Sequence, residues 1–276
     1  MKKYVSLALA LVISVVLAAC GTGNGNSGSK GNEKTLTVGA SNVPHAEILE
    51  QAKPILKDKG IDLKIVKYQD YIMPNKALAE GDLDANYFQH IPYLKAQMKE
   101  NGYKFANAGG IHIEPIGVYS KKYKSLKDLP KGAEIIMSSS VADHGRILSM
   151  LEAQGLIKLK SGIDKTTATV KDIVENKKNL KFKTDIEASL LPKVYQNNEG
   201  DAVLINSNYA IDAGLNPVKD AIALENSNSP YVNVIAVRKG DEDKKEIKTL
   251  VEVLHSKEIQ DYIKKEYKGA VVPVSK

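Results

Sequence analysis

From Thr35 onward, segments with the period of a β-strand alternate with segments with the period of a helix. Apolar residues alternate over 36–40 and again over 61–65, which predicts two strands. Between them, an apolar stripe at helical spacing occupies 48–56 and ends at Gly60. A repeated strand–helix–strand order of this kind predicts an α/β fold, with mostly parallel sheets and helices on both faces.

Two long extended segments, 111–120 and 231–237, divide this series. A new strand–helix series begins after the first of them, at a capping-box sequence over 125–128. We therefore expect two lobes joined by two crossover strands, with lobe 1 formed by residues 35–112 plus 233–276 and lobe 2 by residues 113–232. This is the plan of a two-lobe periplasmic-binding-protein fold, type 2 like, with a ligand cleft where strand ends of both lobes face each other.

The stretch Gly81–Leu94, GDLDANYFQHIPYL, marks a change from strand to helix within lobe 1. Residues 83–88 read as a strand, and a helical stripe begins near Gln89, with Pro92 suited to its first turn. Ligands of open α/β sheets bind at such strand ends. The alternative is that the aromatic residues are core and the histidine is a helix cap. The side chains placed at this junction are Asn86, Tyr87, Phe88 and His90.

The same stretch resembles a known family. Asp-Ala-Asn-x-Phe-Gln-His followed by Pro-Tyr-Leu, over Asp84–Leu94, is similar to the signature of the MetQ/NlpA family, the methionine-binding lipoproteins of bacterial ABC importers. The resemblance extends from about Thr35 to the C-terminus. Other segments that match are Asp70-Tyr71, residues 74–78, Gly145-Arg146, residues 203–206 and residues 229–233.

The resemblance implies a receptor that closes two lobes on its ligand and delivers it to a membrane permease, with an ATPase subunit supplying the work. Such a protein carries out no reaction and needs no cofactor, and we expect a monomer. The ligand implied is L-methionine; D-methionine and short methionine peptides such as Gly-Met stay open as alternatives.

The first 34 residues have the features of an exported and anchored protein. A short basic start is followed by an apolar run too short to span a bilayer and by Leu17-Ala18-Ala19-Cys20, the form recognised by the lipoprotein signal peptidase. We predict a signal peptide over 1–19, lipidation of Cys20, and a flexible tether over 20–34. Diacylated Cys20 would hold the protein on the outer face of the cell membrane. Since Cys20 is the only cysteine, no internal disulfide can form.

The charge of the mature chain argues against nucleic-acid binding. Removing the signal peptide takes away two lysines, so Lys+Arg falls from 39 to 37 against 33 Asp+Glu, a net charge near +4. The basic residues are interspersed with acids rather than gathered on one segment.

Arg146 is the leading candidate for binding a carboxylate. The chain uses arginine only at Arg146 and Arg238 and lysine everywhere else, although a lysine would serve where only positive charge is needed. The planar guanidinium can grip a carboxylate with two hydrogen bonds. Arg146 also follows Ser138–Ser140 at a predicted helix start, where backbone N–H groups favour an anion. A surface ion pair is the alternative, and the resemblance places a carboxylate-binding arginine here.

Two asparagines and four aromatic or imidazole side chains complete the predicted site. Asn206 and Asn233 are predicted to bind the ligand, because an amide can donate to a carboxylate and accept from an ammonium. The alternative is that each is a turn or cap residue. A thioether makes favourable contacts with aromatic rings. The predicted side-chain pocket consists of Tyr71, Phe88, His90 and Tyr93.

One segment departs from the family pattern. Many members have Pro-Asn-Asp-x-x-Asn ahead of the arginine, whereas this chain has Ser138-Ser139-Ser140-Val141-Ala142-Asp143. Asp143 could meet the ammonium of a Gly-Met dipeptide, so this segment leaves the ligand choice open.

Two other classes of protein fit the sequence less well. No G-x-S-x-G, H-E-x-x-H or Walker A motif is present, which argues against an enzyme. A metal-binding lipoprotein is the stronger rival. Its possible metal ligands are His45, His90, His112, Glu114 and Asp143-His144. Because nothing in their spacing makes them converge, we expect no metal.

Overall fold

A computed structural model describes residues 34–274 of the chain. The predicted signal peptide, the lipidated Cys20 and all but the last residue of the predicted tether lie outside the described residues. Within residues 34–274, no helix is both long enough and apolar enough to cross a membrane.

The described chain alternates strands and helices, as the periodicity predicts. The strands are β1 (Lys34–Ser41), β2 (Ile61–Tyr68), β3 (Ala85–His90), β4 (Phe105–Ile113), β5 (Gly117–Tyr119), β6 (Glu134–Ser138), β7 (Ile157–Leu159), β8 (Ile173–Asn176), β9 (Lys181–Ile186), β10 (Ala202–Ile205), β11 (Ala223–Leu224), β12 (Val232–Arg238) and β13 (Val272–Pro273). The α-helices are α1 (Glu47–Asp58), α2 (Met73–Glu80), α3 (Ile91–Asn101), α4 (Val141–Ala153), α5 (Leu191–Gln196), α6 (Ser207–Asp212), α7 (Pro217–Asp220), α8 (Lys245–Leu254) and α9 (Lys257–Tyr267).

The strands form two main sheets, which confirms the α/β two-lobe fold class. One sheet has the order β13-β4-β12-β3-β1-β2 and the other the order β11-β5-β10-β6-β9; β7 and β8 form a small separate pair. We call the first sheet and its helices lobe 1, and the second sheet and its helices lobe 2. The chain passes from lobe 1 to lobe 2 over residues 114–116 and returns over residues 225–231.

The expectation of mostly parallel sheets is wrong, because both sheets are mixed. β1 is parallel to β2 and β3, but β12 is antiparallel to β3 and β4. In lobe 2, β6 is parallel to β9 and β10, whereas β5 is antiparallel to β10 and β11. The reason lies in the two crossings, which run side by side in opposite directions and so place antiparallel strands next to each other in each sheet.

Strand β12 shows how the sheet of lobe 1 is buried on both faces. Because side chains alternate along a strand, Val234 and Ala236 pack into one apolar cluster while Ile235 and Val237 pack into another. All four are fully buried. A strand without a polar face is typical of a sheet covered by helices on both sides. The buried part of β12 therefore holds the first residues of the strand, which lie at the cleft, in a fixed position.

Helix α4 begins earlier than the sequence predicts. We expected a loop over Ser138–His144 and a helix from Arg146, but the helix starts at Val141, directly after Ser140 at the N-cap position. Arg146 therefore lies in the second turn of α4, away from the free N–H groups of its first turn. The run of serines suggested a loop, but its last residue occupies the N-cap position, although the Ser140 side chain makes no cap hydrogen bond.

Gly145 holds α4 against its neighbour. A Cβ atom at this position would lie 2.1 Å from the backbone oxygen of Lys165, far inside van der Waals contact. Only glycine allows the helix to approach the turn at Lys165–Thr167 so closely. This close packing fixes the position of the next residue, Arg146.

Candidate functional site

One cavity between the lobes is lined by all seven residues that the sequence predicts as ligand contacts. Lobe 1 contributes Tyr71, Phe88, His90, Tyr93 and Asn233, and lobe 2 contributes Arg146 and Asn206. Their convergence is a finding, whereas their contact with a ligand stays a prediction. The cavity is also lined by Gln89, Glu114, Asp143, Ser207 and Asn208.

Three aromatic rings form one wall of the cavity. The ring centroids of Tyr71, Phe88 and Tyr93 are 5.8–6.0 Å from one another, the spacing of rings in mutual contact. Phe88 lies near the end of β3, which closes at His90, and Tyr93 stands in the first turn of α3. The Tyr93 hydroxyl donates to the backbone oxygen of Tyr71 at 2.9 Å. This bond ties the loop that carries Tyr71 to α3 and makes the wall a fixed surface.

His90 is both a helix cap and a cleft residue. Its Nδ1 accepts a hydrogen bond from the backbone N–H of Tyr93 at 3.1 Å, so the cap interpretation is correct. The proton of the neutral ring must then be on Nε2, which donates to Asp143 Oδ1 at 3.0 Å. His90 therefore reaches across the cleft from lobe 1 to lobe 2.

Asn86 and Tyr87, which the sequence also places at this junction, do not line the cavity. Asn86 donates to Asn75 Oδ1 at 2.9 Å, and Gln89 donates to both asparagine side chains. This buried amide network joins α2 to β3. Tyr87 is fully buried in the core of lobe 1. Part of the Asp84–Leu94 motif therefore supports the site without facing it.

Arg146 is buried, with 5% of its surface exposed, so the surface ion-pair alternative is wrong. Its Nε and Nη2 donate to Glu225 Oε2 at 3.0 and 2.8 Å, and Nη2 also donates to the backbone oxygen of Glu114 at 2.6 Å. Nη1 has only a 3.5 Å contact with Asp143 Oδ1. The guanidinium carbon lies 4.9 Å from the centre of the Tyr231 ring. Nη1 is thus the part of the fork with donor capacity left for the cavity.

Asp143 is a cleft residue that the sequence singled out as a departure from the family pattern and as one of several possible metal ligands. Its carboxylate accepts from His90 Nε2 and from Asn206 Nδ2, the latter at 3.1 Å, and lies beside Arg146. Burial raises the pKa of Asp143, but the hydrogen bonds from His90 and Asn206 and the charge of Arg146 outweigh it, and the pKa falls to about 2. Asp143 is therefore ionised at neutral pH.

The two predicted asparagines each keep one amide group for a further partner. Asn206 donates to Asp143, while its Oδ1 is buried and has no hydrogen-bond partner among the described residues. Although Asn206 stands at the N-cap position of α6, its side chain makes no cap hydrogen bond. Asn233 Oδ1 lies 3.1 Å from His45 Nε2. The cap alternative thus fails for Asn206, and its free oxygen is one that an N–H donor could satisfy.

Behind the cavity lies a buried cluster of His45, His112 and Glu114 that sequence spacing did not bring together. Glu114 Oε1 accepts from His112 Nε2 at 2.8 Å and lies 3.1 Å from His45 Nε2. Tyr87 hydrogen-bonds the other ring nitrogen of His112. Burial lowers the pKa of His45 to about 4 and that of His112 to about 3. Both imidazoles are therefore neutral above about pH 5.

Among the described residues, these three are the group whose arrangement could hold a metal ion, with ligand atoms within 4.8 Å of one another. The other residues weighed for that role lie elsewhere: His90 and Asp143 face each other across the cleft, and His144 donates to the backbone oxygen of Ser138. The cluster already satisfies its own donors, because both histidine Nε2 atoms point to Glu114 Oε1.

The two lobes contact each other directly around the cavity. Besides the His90–Asp143 bond, the Tyr71 hydroxyl donates to Asn208 Oδ1 at 2.6 Å and the Tyr209 hydroxyl donates to the backbone oxygen of Gln69 at 3.1 Å. The free space between the lining side chains is about 20 Å³, room for a single water molecule. Any ligand of amino-acid size must therefore separate these contacts to enter.

Comparison with known proteins places this site in a family context. The family model described as NlpA lipoprotein matches residues 36–275. The chain is 57% identical over 251 residues to the methionine-binding lipoprotein MetQ of Bacillus subtilis, covering 90% of this chain and 91% of that protein. A solved structure of a putative methionine-binding lipoprotein from B. subtilis shares 58% identity with a TM-score of 0.87, over 89% of this chain and all of that one. A nutrient-binding protein from Burkholderia cenocepacia, solved bound to methionine, shares 46% identity with a TM-score of 0.81, over 86% of this chain and 99% of that one.

Proposed function

The chain belongs to the NlpA lipoprotein family, and we propose that it is the substrate-binding protein of an ABC importer, binding methionine between its lobes. Relatives at 57% and 46% identity are named for methionine binding or were solved with methionine bound, and both are matched over most of their length. The role of such a protein is to bind and deliver rather than to catalyse.

The observation that carries the proposal is the two-sided character of the cavity. An aromatic wall of Tyr71, Phe88 and Tyr93 stands at one side, and a buried guanidinium with amide groups stands at the other. An amino acid with a long apolar side chain has the same division. Aromatic rings favour a thioether over a plain hydrocarbon by polarisable contact, which supports methionine among amino acids of that shape.

Roles for the seven residues follow from their contacts. Arg146 binds the ligand carboxylate through Nη1, after its weak contact with Asp143 is replaced. Asn206 and Asn233 hold the α-carbon substituents with their remaining amide groups. Phe88, Tyr71 and Tyr93 enclose the side chain. His90 closes the site by joining lobe 1 to Asp143.

Delivery to a permease requires the lobes to open and close. The described contacts between lobes include the hydrogen bonds His90–Asp143, Tyr71–Asn208 and Tyr209–Gln69, and the rings of Tyr71 and Tyr209 also pack together with centroids 5.0 Å apart. Hinge closure around a ligand is the usual movement of two-lobe binding proteins. The two crossings between the sheets, residues 114–116 and 225–231, are the segments about which the lobes would turn.

The partners proposed are an ABC permease, its ATPase subunit and the membrane, reached through lipid on Cys20. The family model is described as a lipoprotein, and the Leu17–Cys20 sequence fits lipidation, which would anchor the protein outside the cytoplasm. The tether of residues 20–34 would leave the lobes free to meet the permease.

A second candidate ligand is a methionine dipeptide such as Gly-Met. The observation in its favour is Asp143, a buried and ionised carboxylate at the polar end of the cavity. A dipeptide ammonium placed beyond that of a free amino acid could bind there.

Native release of the protein followed by mass spectrometry of the molecules that co-purify tests the proposal directly. Methionine at about one equivalent per chain is expected, and calorimetry on the ligand-free protein should then reproduce its binding. A different molecule at one equivalent, together with no heat of binding for L-methionine, would reject the proposed substrate.

A further inference from the structure

We propose that Glu225 is a positioning residue, which holds the Arg146 guanidinium in its binding direction and fastens it to both crossings between the lobes. Binding of a ligand carboxylate at Nη1 and closure of the lobes then depend on the same position of the guanidinium. The inference rests on the proposed function and adds a residue that does not line the cavity.

The first step is what the Glu225 carboxylate joins. Its Oε2 accepts from Arg146 Nε and Nη2 at 3.0 and 2.8 Å and from the backbone N–H of Ile116 at 3.1 Å. The backbone N–H of Glu225 donates to the backbone oxygen of Ile116 at 3.0 Å. Ile116 ends the first crossing and Glu225 begins the return crossing. One side chain, with 10% of its surface exposed, therefore joins both crossings to helix α4.

The second step concerns the direction of the guanidinium. Because the group is planar, fixing Nε and Nη2 also fixes the direction of Nη1. Asp143 is the competing carboxylate, but its Oδ1 lies 3.5 Å from Nη1, at the limit of a hydrogen bond. Burial lowers the pKa of Arg146, and the charges of Glu225 and Asp143 outweigh it and raise that pKa. Glu225 thus keeps a charged guanidinium with one edge bound and Nη1 directed away from that edge.

The third step is the connection to lobe 1. Ser229 Oγ donates to Glu225 Oε1 at 2.9 Å and accepts from the backbone N–H of Tyr231 at 3.3 Å, so the return crossing folds around its own first residue. The Tyr231 ring centre lies 4.9 Å from the guanidinium carbon, within the range of a cation–π contact. On the lobe 1 side, the same ring lies 5.0 Å from the His90 ring. Tyr231 therefore contacts both lobes, and displacement of the guanidinium would remove its support from lobe 2.

A purely structural role for Glu225 makes a different prediction. A buried ion pair that only supports lobe 2 would lower the stability of the protein when broken and would affect every ligand alike. A residue that positions Arg146 affects a ligand according to whether that ligand has a carboxylate. Comparing two ligands that differ only in this group separates the two roles.

The test is calorimetry with L-methionine and L-methioninamide, in which a neutral amide replaces the carboxylate. Glu225→Ala should weaken L-methionine about tenfold or more and L-methioninamide less than about threefold. Glu225→Gln keeps an acceptor oxygen without the charge and should lie between the wild type and Glu225→Ala. Glu152→Ala is the matched control: Glu152 also pairs with a basic side chain, Lys165, and accepts a backbone N–H, from Leu159 at 2.8 Å. This control should change neither affinity.

Hydrogen exchange of the full chain, followed by mass spectrometry, tests the connection to the crossings. At saturation, L-methionine should slow exchange over residues 114–118 and 225–233 of the wild-type protein more than L-methioninamide does. In Glu225→Ala the two ligands should differ less. Equal protection of these segments by both ligands in the wild type would overturn the connection between the carboxylate and the crossings.

The affinities can overturn the inference in three ways. Equal weakening of both ligands in folded Glu225→Ala would leave Glu225 as a support of lobe 2, and unchanged affinity for L-methionine would remove its role. If Glu225→Ala does not fold, the same comparison in Glu225→Gln decides. If the wild-type protein binds L-methioninamide as tightly as L-methionine, the carboxylate does not bind Arg146 and this inference fails while methionine binding stands. If it binds neither, the proposed function fails as well.

Discussion

His90 Nε2 and Asp143 Oδ1 lie 3.0 Å apart and belong to different lobes, so the hydrogen bond between them spans the cleft. The bond involves an ionised carboxylate, because His90, Asn206 and Arg146 together hold the pKa of Asp143 to about 2 in spite of burial. A bond of this kind is sensitive both to acid and to anything that enters the cleft.

The first prediction concerns acid stability. The pKa of Asp143 falls from 3.8 to about 2 on folding, so its contribution is fully present above pH 3.8 and is lost as the pH falls toward 2. The wild-type protein should therefore lose about 1 kcal/mol more than Asp143→Asn between pH 5 and pH 3. Denaturant unfolding of both proteins at the two pH values measures this difference. An identical pH dependence would mean that Asp143 has an ordinary pKa.

The second prediction concerns the carboxylate contact. Arg146→Ala removes the charge and the fork, and hydrogen bonds to charged groups contribute about 1.5–3 kcal/mol each, so affinity for methionine should fall at least roughly a hundredfold. Arg146→Lys keeps the charge and should lose less. Arg238→Ala changes the other arginine, which donates to backbone oxygens of Leu78 and Leu83, and should leave affinity unchanged. Calorimetry on the folded variants decides; unchanged affinity in Arg146→Ala would remove Arg146 from the ligand.

These residues differ in how far the sequence could predict them. Arg146 was identifiable because the chain uses only two arginines, and Phe88, His90 and Tyr93 because the apolar period changes between strand and helix. Both signals are local. The start of α4 was misplaced because a run of serines permits either a loop or a helix cap.

The cluster around Glu114 could not be predicted, since it depends on tertiary contacts. His112 and Glu114 stand two residues apart on one face of a segment, which was visible. Their partner His45 comes from the segment between β1 and α1, and its contact with Asn233 joins positions 188 residues apart. The mixed sheets have the same origin, because the direction of β12 is set by where the chain returns rather than by its own residues.

The third prediction concerns the anchor. Cys20→Ser removes the only thiol and should leave the protein unprocessed or shed into the medium, with its folded body unchanged. Metabolic labelling with a fatty acid should mark the wild-type protein and not the variant. A wild-type protein that takes up no label would refute lipidation at Cys20.

The fourth prediction concerns metal. Since His45 and His112 both direct Nε2 to Glu114, extensively dialysed protein should hold no stoichiometric zinc or manganese. A chelator should not change the affinity for methionine. Elemental analysis checks the first statement and calorimetry the second. One transition metal per chain that disappears in His112→Gln would favour a metal-binding lipoprotein instead.

The last prediction concerns what the aromatic wall selects. L-methionine should bind much more tightly than leucine, whose branch does not fit a long slot, and than glutamine, which would bury an amide at a cost of about 1–3 kcal/mol if unpaired. Norleucine should lie between, because it keeps the shape and loses only the contact of sulfur with the rings, about 0.3–1.5 kcal/mol. Phe88→Ala should weaken methionine more than norleucine.

Gly-Met is the comparison that separates the two candidate ligands. Its ammonium lies about 3.6 Å farther out, one residue's reach, where Asp143 could accept it. Competition calorimetry should place L-methionine ahead of Gly-Met, and Asp143→Asn should affect the dipeptide more strongly. If Gly-Met binds more tightly in the wild-type protein, the free amino acid is the wrong ligand, while the fold and the role of Arg146 stand. If leucine or glutamine binds more tightly than methionine, the role given to Tyr71, Phe88 and Tyr93 is wrong, because those rings offer neither ligand an advantage.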